Sequence, residues 1–278
     1  MTAKPETLTF LEPTGVRPHC PLFVFLPGMD GTGALLSTQL TGLLARFDIR
    51  CLVLPQDTDH SWDDLAKAIA QRIKNDLTQS SHPDRDVYLC GESFGGCLAL
   101  KVATHCPDIV NRLILVNPAS SFNKTFWTRW AVDTVRALPA PMYSLGCSIL
   151  MPFLANLNRV STNEQQILLN AMRSVGYRSA LHRVFLLRDF DLMDQAYQKI
   201  QQLTLIVASR SDRLLPSNAE ANRLSALIPK ATIHPLPHSG HACLLEPEVN
   251  LHDILQSWDA ANESDRTPAL SGGDRSAG

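Results

Sequence analysis

The sequence predicts an α/β fold: a mainly parallel, doubly wound sheet interrupted by a helical insertion. Three observations carry that prediction. Short apolar runs recur along the chain and alternate with segments of helical spacing ten or more residues long. The apolar runs do not alternate polar with apolar residues, as strands covered by helices on both faces should not. The rhythm then stops between 121 and 202, where the chain reads as helical with no clear strand.

Taken in order, "PLFVFLPG" (21–28) reads as a strand and "TGALLSTQLTGLLARF" (32–47) as a helix. "IRCLVLP" (49–55) is a strand, and "SWDDLAKAIAQRIKNDL" (61–77) a helix opened by a capping serine with acids in its first turn. "DVYLCG" (86–91) is a strand, "GGCLALKVATHCP" (95–107) a helix stopped by proline, and "RLILVNPAS" (112–120) a strand. Beyond the insertion come a strand at 203–209, a helix at 216–228, a strand at 231–237 and a helix at 244–258. The domain reading is a core of residues 1–120 and 203–261, a helical cap of 121–202, and a tail of 262–278. The tail is rich in Ser, Gly and Asp and is expected to be disordered.

Composition narrows the function. The chain has 278 residues, 45% of them hydrophobic, and a net charge of −2, with no basic stripe to bind nucleic acid. Its seven cysteines are scattered, odd in number and mostly within apolar runs, which reads as reduced thiols rather than a disulfide framework or a metal site. The N-terminus lacks the apolar core of a signal peptide. Residues 137–158 carry no charge, but Pro139, Pro141, Pro152 and Gly146 interrupt them, so they read as short apolar helices over a greasy site rather than a membrane span.

The chemistry is concentrated at "GESFGG". Ser93 lies between Gly91 and Gly95 in a G-x-S-x-G pattern, behind a buried strand and before a helix, the setting of a nucleophile elbow. The chain must reverse sharply there, and only residues without side chains at 91 and 95 permit the close approach. A serine nucleophile needs a base, and the base an orienting acid, in the chain order serine, acid, histidine. "HSGHACLLE" offers His241, with Gly240 freeing the backbone before it, and His238 as the alternative. Asp212, in the loop after the strand 203–209, is the candidate acid; Asp189, Asp191 and Asp194 are rivals that follow the cap rather than a strand. The backbone N–H groups of Phe94 and of Met29, in "LPGMDGTG", are the expected oxyanion donors, with Gly28 allowing that loop to turn.

Together "FLPGMDGTG" (25–33), "GESFGGCLAL" (91–100), "LILVNPASSF" (113–122), "SRSDRLLPS" (209–217) and "SGHACLLE" (239–246) resemble the α/β-hydrolases. Within that superfamily they resemble the esterase/lipase/thioesterase domain of the plastid phytyl ester synthases and their bacterial relatives. The resemblance implies acyl transfer to water or to a long-chain alcohol such as phytol, and association with photosynthetic membranes. The plant proteins carry an H-x4-D acyltransferase motif that is absent here, so hydrolysis of hydrophobic acyl esters or thioesters is the expected activity. Esterification of a long-chain alcohol is the alternative, and a catalytically idle binding protein is the reading of another class. No metal or organic cofactor is expected. The expected partners are a hydrophobic acyl substrate and, through the greasy cap with Trp127 and Trp130, a membrane surface touched peripherally. The expected location is the cytoplasm, beside an internal membrane.

Overall fold

A computed structural model describes residues 8–56, 59–124 and 142–264. They form one seven-stranded sheet in the order β1-β3-β2-β4-β5-β6-β7. The strands are β1 (Thr9–Leu11), β2 (Leu22–Leu26), β3 (Asp48–Val53), β4 (Val87–Glu92), β5 (Arg112–Val116), β6 (Leu203–Ser209) and β7 (Ala231–Leu236). Only β1 runs antiparallel, pairing with β3; every other neighbour is parallel.

Helices cover both faces, so both faces of each central strand are apolar. Leu22, Val24 and Leu26 of β2 pack with α2 (Trp62–Thr78), α3 (Phe94–His105) and α8 (Ser217–Leu227). Phe23 and Phe25 face the opposite layer, with α1 (Leu40–Leu44) and α9 (Leu251–Ser264). The start of α2 is set by Ser61, whose hydroxyl accepts from the Asp64 backbone N–H while the Asp64 carboxylate accepts from the Ser61 N–H. Between β5 and β6 the described helices are α4 (Tyr143–Leu154), α5 (Thr162–Ser174), α6 (Tyr177–Arg188) and α7 (Asp194–Gln198).

Several boundaries differ from the sequence reading. The segment 32–47 is a 3-10 turn, Ala34–Gln39, followed by the five residues of α1, because Gly33 enters it in the left-handed region at φ 74°. The final helix begins at Leu251, beyond Pro247, with only a short 3-10 turn at Cys243–Leu245 before it, and it runs to Ser264. Residues 262–264 of the expected tail are therefore helical. Trp127, Trp130 and positions 265–278 lie outside the described residues. The short β1 was not foreseen: only Phe10 of its three residues is buried, so it gives almost no periodic signal.

The C-terminal helix is fastened to the sheet by a buried carboxylate. Asp259 accepts from Arg46 (2.6 Å), the Tyr88 hydroxyl (2.9 Å) and Arg112 (3.3 Å). Removing one partner of such a cluster leaves buried charge uncompensated. Asp259→Ala is expected to lower unfolding free energy by about 3–5 kcal/mol in urea titrations.

Candidate active site

The site forms where the sheet's C-terminal edge meets the insertion. Ser93 sits between β4 and α3 at φ 52° and ψ −112°, a strained position for a residue with a side chain. Its neighbours explain how the turn is possible. A Cβ on Gly91 would lie 2.2 Å from the Gly95 carbonyl oxygen, and one on Gly95 would lie 2.0 Å from the Leu26 oxygen. Phe94 is fixed by stacking on Trp62, ring centres 4.7 Å apart. Ser93 itself is 8% exposed and its N–H donates to the Val116 carbonyl at 2.9 Å.

Three residues from distant parts of the chain meet there. His241 Nε2 is 2.9 Å from Ser93 Oγ, and His241 Nδ1 is 2.7 Å from Asp212 Oδ2. Asp212 also accepts from the Leu214 and Leu215 backbone N–H groups and the Ser217 hydroxyl. Burial would push its carboxyl up, yet His241 and these donors outweigh that and hold it below the usual range. Burial likewise opposes charge on His241, but the Asp212 carboxylate carries it above the ordinary histidine value. His238 is exposed, with its carbonyl accepting from Asn156, and Asp189 pairs with Arg188 in the open. Asp191 and Asp194 stay outside the cluster.

Gly28 and Gly240 have other roles than the sequence suggested. Neither has positive φ; in the loop after β2 the left-handed residues are Gly31 (φ 66°) and Gly33 (φ 74°). Gly240 is needed for space, since a Cβ there would lie 2.7 Å from the Asn156 nitrogen. The Met29 and Phe94 backbone N–H groups donate to no protein acceptor among the described residues.

Asn117, inside the "NPASSF" stretch, had no role assigned from sequence. It is fully buried at the end of β5 with φ 42°. Its amide donates to Ser209 Oγ (2.9 Å) and to the His241 carbonyl (2.7 Å), while its oxygen accepts from the Ser209 N–H (2.8 Å). It thus ties the ends of β5 and β6 to the histidine loop. Its only sequence signal was a polar residue directly after the apolar run Leu113–Val116.

The insertion grips the same loop. Ala242 N–H donates to the Leu154 carbonyl at 2.7 Å; Glu246 accepts from Gly240 N–H and from Arg159, both at 2.8 Å. Between insertion and core lies a cavity of about 280 Å³. Its walls are mostly aliphatic, including Leu35, Leu150, Leu154, Leu168 and Leu187, and Ser93 and His241 open into it.

A serine at a strand-to-helix turn, with histidine and aspartate from later loops of a parallel sheet, defines an α/β-hydrolase. The chain belongs to the family described as serine aminopeptidase, S33, whose pattern it matches over residues 53–248. It is 29% identical over 258 residues to phytyl ester synthase 1, chloroplastic, of Arabidopsis thaliana, covering 85% of this chain and 36% of that protein. It therefore spans little more than a third of that relative's length. It is 25% identical over 250 residues to the putative carbamate hydrolase RutD of Cronobacter sakazakii, covering 86% and 90% of the two chains. In structure it is similar to a hydrolase from Oleispira antarctica, with TM-score 0.72, 14% identity and coverage of 90% and 93%.

The glycine constraint is testable. Gly95→Ala must displace the Leu26 backbone, and an expected loss of about 3 kcal/mol or more would appear as a lowered melting temperature and poor soluble yield.

Proposed function

We propose that Ser93, His241 and Asp212 act as a catalytic triad that cleaves hydrophobic acyl esters or thioesters through an acyl-enzyme. The observation that carries this reading is the continuous hydrogen-bonded chain from Asp212 through His241 to Ser93, ending in an apolar cavity. His241 takes the Ser93 proton as Oγ attacks the acyl carbon. Asp212 keeps Nδ1 protonated, so that Nε2 faces Ser93, and stabilises the imidazolium. The Met29 and Phe94 N–H groups, without an acceptor among the described residues, receive the developing oxyanion. His241 then gives its proton to the leaving alcohol or thiol. A water then attacks the acyl carbon as His241 takes its proton; the bond to Ser93 Oγ breaks, and His241 passes that proton to Oγ.

The mostly aliphatic walls support a hydrocarbon acyl chain, and they support transfer to a long-chain alcohol as the second reading, because they favour an apolar acceptor over water. On the outer side of α4, Leu145, Ile149 and Phe153 are exposed, while Cys147 and Leu154 of the same helix line the cavity. That arrangement supports peripheral contact with a membrane at the cavity's cover. Among the described residues no helix is long and apolar enough to cross one.

Hydrolysis of p-nitrophenyl esters from acetyl to palmitoyl tests the reading. Long chains are expected to be preferred, and Ser93→Ala to lose several orders of magnitude in kcat; equal background in both proteins rejects the triad. Because Asp212 favours the protonated imidazole, kcat/KM is expected to rise with pH about a midpoint above 6.5. Asp212→Asn removes that support, so the midpoint should move to lower pH while the rate falls about 10⁴-fold.

A further inference from the structure

Two carboxyl groups in the cavity are not used by the triad. Asp30 belongs to the loop after β2 and is 6% exposed; Glu92, directly before the nucleophile, is 2% exposed. Both line the cavity with Ser93. Thr32 fixes one Asp30 oxygen, its N–H donating to Oδ2 at 2.9 Å and its hydroxyl at 2.5 Å. That leaves Asp30 Oδ1 buried without a partner, and Glu92 Oε2 is buried and unpartnered too, among the described residues. The position a Gly28 Cβ would occupy is 3.6 Å from Asp30 Oδ1 and 3.7 Å from Ser93 Cβ. The free oxygen therefore lies beside the reacting centre, not in a remote corner. A buried carboxyl oxygen without a hydrogen-bond partner is costly, and a ligand group in the cavity would relieve it.

We propose that Asp30 and Glu92 form a hydroxyl-binding subsite, which takes a second hydroxyl within a few bonds of the scissile ester. This rests on the acyl-transfer reading and specifies its substrate: an apolar ester with one hydroxyl near the carbonyl, on either its alcohol or its acyl side. The chemistry selects a hydroxyl over an ammonium group. Burial first, and then the Asp30 charge, push the Glu92 carboxyl up to about 8, so at neutral pH it keeps its proton and has a hydrogen bond to give. A hydroxyl both accepts from Glu92 and donates to Asp30; an ammonium only donates. The Arg183 guanidinium also lies under this loop, donating to the Met29 carbonyl at 2.7 Å, and the Asp30 charge favours its own against burial. A second cation there would meet repulsion. An ordinary long-chain ester leaves both carboxyls unpaired, which is how the subsite discriminates.

The test compares matched esters. 2-Hydroxyethyl laurate against propyl laurate probes the alcohol side, and ethyl 3-hydroxylaurate against ethyl laurate the acyl side. The wild type is expected to favour the hydroxylated member of one pair by roughly tenfold in kcat/KM, the effect of one well-made hydrogen bond. Asp30→Asn and Glu92→Gln, which keep shape, are expected to bring that ratio towards one; the ratio is the readout because either change also touches the site's general reactivity. The favoured pair identifies which side carries the hydroxyl. A wild-type ratio near one in both pairs, or a ratio unchanged in both variants, overturns the subsite. Calorimetric binding of 1,2-dodecanediol against 1-dodecanol gives a readout free of turnover. If no ester is cleaved, the acyl-transfer reading fails, while diol preference abolished by the two substitutions still supports the subsite and equal binding rejects it.

Discussion

The reversal of the chain at Ser93 is the constraint on which the rest of the site depends. A parallel strand ends, one residue takes a strained conformation, and a helix begins at once. That geometry places Ser93 at the sheet's edge, where it lines the cavity, and starts α3 at Phe94. It exists only because Gly91 and Gly95 let β4, α3 and the end of β2 approach within distances that a methyl group would forbid. The packing that permits the turn also brings the loop after β2, with Met29 and Asp30, against Ser93.

The remaining groups are delivered by the topology rather than by local sequence. β5, β6 and β7 lie in order beside β4, so the loops after β6 and β7 both open on the same edge. Asp212 and His241 come from those loops, and buried Asn117 ties them to β5 through bonds to the Ser209 hydroxyl and N–H and to the His241 carbonyl. The insertion completes the site by covering it with a mostly aliphatic cavity and bonding to the histidine loop at Ala242, with Glu246 bridging Arg159 to Gly240. Closing a site against water strengthens each electrostatic interaction inside it.

What the sequence made legible follows from the range of the forces involved. The buried strands and the strand-to-helix turn are local patterns, so β2 to β6 and the tight turn through Gly91, Ser93 and Gly95 could be read directly. Asp212 and His241 could be placed because their loops follow recognisable strands. Asn117 and Glu246 could not, since their roles depend on partners far along the chain, at 209 and 241 for one and at 159 for the other. Glycine misled where its use is spatial: Gly240 makes room for the insertion's backbone, and the turning residues of the loop after β2 are Gly31 and Gly33. The helix read at 32–47 failed because apolar spacing alone does not separate a 3-10 turn from an α-helix.

The central claim is that Ser93 carries the acyl group. It is tested most directly by rapid quenching with p-nitrophenyl laurate, followed by intact-mass and peptide mass spectrometry. The account predicts a transient lauroyl adduct on the peptide containing Ser93, absent from Ser93→Ala and accumulating in a variant slowed in deacylation. Turnover of the ester with no adduct on that peptide, or with the same adduct in Ser93→Ala, would contradict it.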